Sequence, residues 1–156
     1  MNTVQDITTF KGTFLSNMTP CKVTYQGITY PSVENFYQAM KTTDPGLRLE
    51  ISKMNPYESK RFAKTMEIRP DWNDVKDKVM VYGLKQKFAP GSQLAKQLIA
   101  TGSANLVEGN YWGDVYWGVC NGKGLNKLGN MLMEIRASLA SPYDQITPRP
   151  KGGHHG

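Results

Sequence analysis

The chain has 156 residues, of which 39% are hydrophobic and 21% charged, with a formal net charge of +6. This composition suits one folded domain with a real core and excludes an intrinsically disordered chain. No apolar run approaches the roughly 20 residues of a membrane helix, and the start Met1-Asn2-Thr3-Val4-Gln5-Asp6 has no signal-peptide pattern.

Two cysteines, Cys21 and Cys120, make neither a disulfide framework nor a metal-ligand spacing. They read as small buried apolar residues, and a reducing cytoplasmic setting with no membrane partner is expected. The positive charge attracts polyanions or an anionic ligand. Much of it sits in Lys60, Arg61, Lys64, Lys76, Lys78, Lys85 and Lys87, interleaved with acids at helical spacing, as on solvated helix faces.

In chain order, the N-terminal third reads as β. Phe10 to Leu15 is short and mixed, and Lys22–Tyr25 and Ile28–Tyr30 flank Gln26-Gly27, a two-residue hairpin turn. Ser32 is the expected N-cap of a helix from Val33 to Thr42. Val33, Phe36, Tyr37 and Met40 form its apolar stripe, and Glu34, Gln38 and Lys41 fall on another face.

Helices dominate the middle: Pro45 to Lys53, then one opened by Asn55-Pro56-Tyr57-Glu58 and running to about Met66. Asp71 is placed as the cap of a longer helix to about Phe88, with Trp72, Val75, Val79 and Tyr82 at helical spacing. Gly83 weakens that helix by roughly 1 kcal/mol against alanine. Ser92 starts a helix from Gln93 to Ala100, which stops at Gly102.

Asn105–Glu108 and Val115–Val119 read as two short strands, and the last helix starts near Asn126, with Leu128, Met131, Leu132, Ile135 and Leu139 inward. Residues 141–156 read as an extended tail in which His154 and His155 are given no metal role. The expected fold is α+β: one mostly helical domain over residues 1–140 with a small antiparallel sheet.

The segment Leu106-Val107-Glu108-Gly109-Asn110-Tyr111-Trp112-Gly113-Asp114 joins aromatic surface, a carboxylate and small residues, followed by the glycine-rich Trp117 to Asn126. A pocket that stacks a flat ring and approaches phosphate with bare backbone needs that mixture; equally, Trp112 and Trp117 can be core and Asp114 a turn residue. Gly122-Lys123-Gly124-Leu125-Asn126 before a helix offers backbone N–H groups to phosphate. It is not a Walker motif, because Gly118 to Gly122 is one residue too short and Gly124 stands where serine or threonine is required.

The ordered blocks Phe14-Leu15-Ser16-Asn17, Tyr30 to Lys41, Arg69-Pro70-Asp71-Trp72, Lys87-Phe88, Leu106 to Asn110, Trp112-Gly113-Asp114, Trp117 to Cys120, Gly124 to Gly129 and Leu132 to Arg136 resemble the YbiA-like, or NADAR, family. The resemblance implies an N-glycosidase that cleaves the bond between a base-like nitrogen and C1 of a ribose, with no cofactor and no metal. It implies Glu34 and Asp114 as the essential carboxylates and Trp72 as the pocket tryptophan. Asn17, Lys41, Trp112, Gly122, Gly124 and Asn126 are the further substrate-binding candidates.

Cleavage develops positive charge on the ribose ring. A fixed carboxylate near C1 lowers that barrier, and a carboxylate also serves as base toward water. Which of the two takes which role stays open. Glu34 in a first helical turn is favoured in its ionised form by the macrodipole, although acids are common there for that reason alone. Trp72 is either a stacking surface or core, and Lys41 either binds phosphate or pairs with Glu34.

Within the family's range, removal of ADP-ribose from modified guanine in DNA or RNA is the preferred reading, because the net charge favours a polyanion. Hydrolysis of phosphorylated riboflavin-biosynthesis intermediates is the alternative. A non-catalytic module that binds ADP-ribose or nucleic acid is a third, against which the presence of both carboxylates speaks.

Overall fold

A computed structural model describes residues 5–140; the sequence readings for the chain start, the 141–156 tail and His154-His155 lie outside the described residues. Among the described residues the fold is α+β and mostly helical, with two strand pairs of two or three residues per strand. By their internal contacts the described residues divide into two compact units, one made of residues 10–89 and the other of residues 5–9 and 90–140.

The 10–89 unit opens on successive turns where a short strand was expected over Phe10–Leu15. Thr13 and Ser16 amides close on the Phe10 and Thr13 carbonyls, while Phe10 and Leu15 are buried. Two apolar residues five apart anchor a turn here and set no strand period.

The hairpin β1 (Val23–Tyr25) and β2 (Ile28–Tyr30) forms in the expected register, Val23 opposite Tyr30. Gln26 and Gly27 both take positive φ, 49° and 83°. That is the backbone a two-residue turn between twisted strands demands.

Helix α1 (Val33–Ala39) is capped by Ser32, whose hydroxyl accepts the Asn35 amide. Every one of its residues is buried, the polar face included. Asn35 Nδ2 donates to the Ile51 and Met54 carbonyls, each at 2.9 Å, and ties down α2 (Pro45–Ser52). Helix α3 (Pro56–Ala63) starts in the capping box foreseen at Asn55 and Glu58.

Helix α4 (Trp72–Lys87) buries Trp72, Met80, Gly83, Leu84 and Lys87. The expected stripe is therefore rotated: Val75 and Val79 are half-buried, and Tyr82 lies exposed. Gly83 explains the shift, since a Cβ there would stand 3.1 Å from Phe36 Cδ2 and 3.3 Å from Val33 Cγ1. The missing side chain is what lets α1 and α4 approach.

In the other unit, α5 (Gln93–Ala100) has its cap at Ser92, as expected. The two strands proposed around the aromatic segment are displaced and shorter. β3 (Gly109–Asn110) and β4 (Val119–Cys120) pair in parallel, and Ile7 bridges Leu106. Helix α6 (Lys127–Ala140) buries Leu128, Leu132, Ile135 and Leu139, with Met131 only half-buried. Gly129 sits against the Leu106 carbonyl.

Candidate active site

In the 10–89 unit the site builds from the start of α1. The Glu34 amide donates to the Asn17 carbonyl at 3.1 Å, so the turn that ends the Phe14–Asn17 block is fastened to the helix at the carboxylate-bearing residue. Glu34 is 9% exposed, and Gln38, one turn on, donates from Nε2 to Glu34 Oε2 at 2.6 Å. The face that the sequence marks as polar is therefore an interior polar face.

Lys41 continues that face. Its Nζ stands 5.5 Å from the centre of the Tyr37 ring and 6.0 Å from that of Trp72. Burial pushes its pKa below the usual lysine value; Glu34 opposes the shift, and Lys60, Lys76 and Lys64 add to it. An ammonium that feels three other cations and one carboxylate is electrostatically prepared for a further anion.

Trp72 is brought to this place by Arg69. The Arg69 amide donates to the Lys41 carbonyl at 2.8 Å, while its guanidinium grips Asp71 with bonds of 2.6 and 3.0 Å. Asp71 thus occupies the N-cap position of α4 without capping it through its side chain; its carboxylate is spent on Arg69. Trp72, 9% exposed, meets Tyr37 edge-on with ring centres 5.0 Å apart.

Asn17 reaches Met80 Sδ with Nδ2 at 3.5 Å. Its Oδ1 and the Oε1 of Gln38 are both shielded from solvent with no hydrogen-bond partner. Glu34, Lys41, Trp72 and Asn17 thus occur together in this unit. Gln38 was placed on the Glu34 face by periodicity but given no role; its burial was the missing signal.

In the other unit Asp114 organises a loop. Its Oδ1 accepts the amides of Tyr116 at 3.1 Å and Trp117 at 2.9 Å, the side-chain-to-backbone turn for which aspartate is suited. Asn110 exchanges two bonds with the Asp114 backbone and donates to Glu108 Oε1 at 3.1 Å. Glu108, buried and lying over Gly118, is a carboxylate that sequence reasoning passed over.

Trp112 is 47% exposed and meets the more exposed Tyr111 at 5.1 Å between ring centres, so it is a surface aromatic and not core. Gly124 is required by its positive φ of 147° and by the Gly118 carbonyl where a Cβ would go; Gly122 lies in an open turn at φ 77°. Asn126 accepts the Glu108 amide at 2.9 Å and donates to the Leu106 carbonyl at 3.0 Å.

The amides of Leu125, Asn126, Lys127 and Leu128 donate to the carbonyls of Val115, Gly118, Tyr116 and Trp117. The phosphate cradle expected at the start of α6 finds those donors already engaged with the chain itself.

Among the described residues, no group of three or more His, Cys, Asp or Glu comes together as a metal site, and no helix is long and apolar enough to cross a membrane. Cys21 and Cys120 are free and half-buried.

Residues 5–140 match the NADAR domain model. The chain is 38% identical over 129 residues to N-glycosidase YbiA of Shigella boydii, covering 80% of each protein. It is 35% identical over 140 residues to riboflavin biosynthesis protein VVA0006 of Vibrio vulnificus, where it spans 85% of its own length and 38% of the relative's. The solution structure of Escherichia coli YbiA superposes with a TM-score of 0.79 at 30% identity, covering 98% of this chain and 94% of that one. The match over all described residues, together with these relatives, means that the chain belongs to the NADAR family of N-glycosidases, hydrolases of N-glycosyl bonds.

Proposed function

We propose that this chain hydrolyses the bond between a base-like nitrogen and C1 of a phosphorylated ribose, with Glu34 set against the positive charge that develops on the sugar ring. The observation that carries this reading is the burial of Glu34 at 9% exposure, fixed by the Asn17 carbonyl and the Gln38 amide. A carboxylate held rigid and away from water acts on a nearby cation far more strongly than a solvated one, and needs no reorganisation at the moment of reaction.

The cluster of Lys41 with Lys60, Lys64 and Lys76 supports a substrate that carries phosphate. It favours ADP-ribose attached to guanine in DNA or RNA, where the diphosphate and the polymer backbone both meet positive charge. The riboflavin-related name of the Vibrio relative supports the second substrate class, phosphorylated pyrimidine intermediates of riboflavin synthesis.

Incubation with DNA bearing ADP-ribosylated guanine, and separately with those pyrimidine ribosyl phosphates, followed by mass spectrometry of the products, decides between them. Release of ADP-ribose from the first supports the nucleic-acid reading. Release of ribose phosphate from the second alone supports the small-molecule one, and no release from either defeats the proposal.

A further inference from the structure

Two buried acceptors on residues tied to Glu34 lack donors: Oε1 of Gln38, whose Nε2 bonds the carboxylate, and Oδ1 of Asn17, whose backbone carbonyl holds the Glu34 amide. Neither side chain can simply be turned around. Gln38 presents its NH2 group to the Glu34 carboxylate at 2.6 Å, and the reverse orientation would set a carbonyl oxygen against a carboxylate oxygen. Asn17 points its NH2 at the Met80 thioether, which has lone pairs and no proton to give. Each amide oxygen is therefore committed to face away from its neighbour, and a buried acceptor left unpaired costs roughly 1–3 kcal/mol. Gln38 is only 4% exposed, so bulk water does not meet its oxygen.

A pair of waiting acceptors calls for a ligand that brings donors. Next to the anomeric carbon of a ribosyl group there are two oxygens. The ring oxygen has no proton, and the 2-hydroxyl has one. With Glu34 set against C1, the nearest donor that the sugar offers is that hydroxyl.

We propose that Gln38, through Oε1, receives the 2-hydroxyl of the ribosyl group that is cleaved, with Asn17 Oδ1 as a second acceptor for the sugar, so that the enzyme demands ribose and rejects 2-deoxyribose. This rests on the N-ribosyl reading above and adds its sugar specificity and the residue that sets it. The same bond assists the reaction. A hydroxyl that donates to an amide oxygen gains electron density, and hydrogen bonds at this position strengthen as the ring becomes cationic. A site built to bond a hydroxyl also rejects the analogue without it more strongly than shape alone permits, because the protein acceptor is then left buried and unpaired.

The test needs no knowledge of the base. Ribose 5-phosphate and 2-deoxyribose 5-phosphate are titrated calorimetrically into the wild-type protein, Gln38→Met and Asn17→Ala. The wild type should bind the ribose form at least about tenfold more tightly, since one buried hydrogen bond is worth about that factor. Gln38→Met should lose the preference.

A purely structural role for Gln38, steadying Glu34, would weaken both sugars in proportion and leave the ratio intact, which overturns the proposal. Equal binding of both sugars by the wild type overturns it too, while leaving the N-ribosidase reading in place. If the wild type binds neither sugar, the proposal is overturned as well, and the product-release experiment above decides the N-ribosyl reading separately. Because the wild-type comparison stands alone, a variant that fails to fold does not rescue the idea.

Discussion

Lys87 Nζ donates to the Ser16 carbonyl at 2.7 Å, across 71 residues of sequence. Ser16 precedes Asn17, whose own carbonyl holds the Glu34 amide, so a buried lysine at the end of α4 steadies the turn on which α1 begins. Lys87 is 3% exposed. Burial pushes its pKa down to about 8, with Cys21 acting the other way.

That shift makes stability depend on pH. Below pH 8 Lys87 is charged in both folded and unfolded chains, and the cost of burying the charge is present in full. Between about 8 and the unfolded value of 10.5 the unfolded chain binds more protons, so stability rises with pH across that window. Relative to Lys87→Met, the wild type should gain up to about 3 kcal/mol between pH 7.5 and 10. Urea denaturation at both pH values measures it; parallel changes in the two proteins would show that Lys87 does not titrate there.

Glu34→Gln keeps the side-chain volume and an oxygen to accept from Gln38, and its first-turn position loses only a few tenths of a kcal/mol to the helix dipole. Melting should hardly change, while kcat should fall by on the order of 10²–10³ with the charge gone. Near-normal turnover on the right substrate would reduce Glu34 to a helix-dipole acid.

Trp72 is both buried and in edge contact with Tyr37, so Trp72→Ala should cost about 3–5 kcal/mol of stability. Trp72→Phe retains a ring beside Tyr37 and is the variant that can report on ligand stacking. If it melts normally yet binds substrate about 1–3 kcal/mol more weakly, Trp72 is a platform for the substrate. Unchanged affinity in that variant assigns it to packing alone.

Asp114 Oδ1 is occupied by two backbone amides. Asp114→Asn can keep that turn, since an amide oxygen accepts the same bonds, whereas Asp114→Ala loses them and should destabilise by about 1–2 kcal/mol. A role in the transition state predicts that the asparagine variant loses turnover with little loss of affinity. Full activity in Asp114→Asn together with a lowered melting point in Asp114→Ala would make the residue a turn former.

Gly129 lies inside α6, where alanine is ordinarily the better helix former by roughly 1 kcal/mol. Here a Cβ would overlap the Leu106 carbonyl oxygen and crowd the Asn126 amide. Gly129→Ala should therefore destabilise by about 3 kcal/mol or more, measured by thermal melting. Stabilisation would show that the 105–110 segment yields readily.

Local signals were legible in the sequence: Ser32, Asn55 and Ser92 cap where their side-chain oxygens precede helical patterns, and Gln26-Gly27 turns because both residues accept positive φ. These depend on neighbours within four residues, so a one-dimensional reading reaches them. The family resemblance named Glu34, Asp114 and Trp72 and the shared helix face named Lys41; the 10–89 unit holds Glu34, Lys41 and Trp72, and Asp114 belongs to the other unit.

Tertiary contacts decided the rest. The face of α4 that turns inward follows from the space Gly83 leaves for Phe36 and Val33, which no periodicity within α4 reveals. The polar face of α1 is interior because α2, α3 and α4 close around that helix, and this burial turns Gln38 from a solvent-facing glutamine into an amide with one oxygen unmet. The donors at the start of α6 are engaged because carbonyls ten or so residues earlier fold back onto them. Hydrogen-bond partners distant in sequence are chosen by packing, and packing is a property of the folded chain that residue types and spacing leave undetermined.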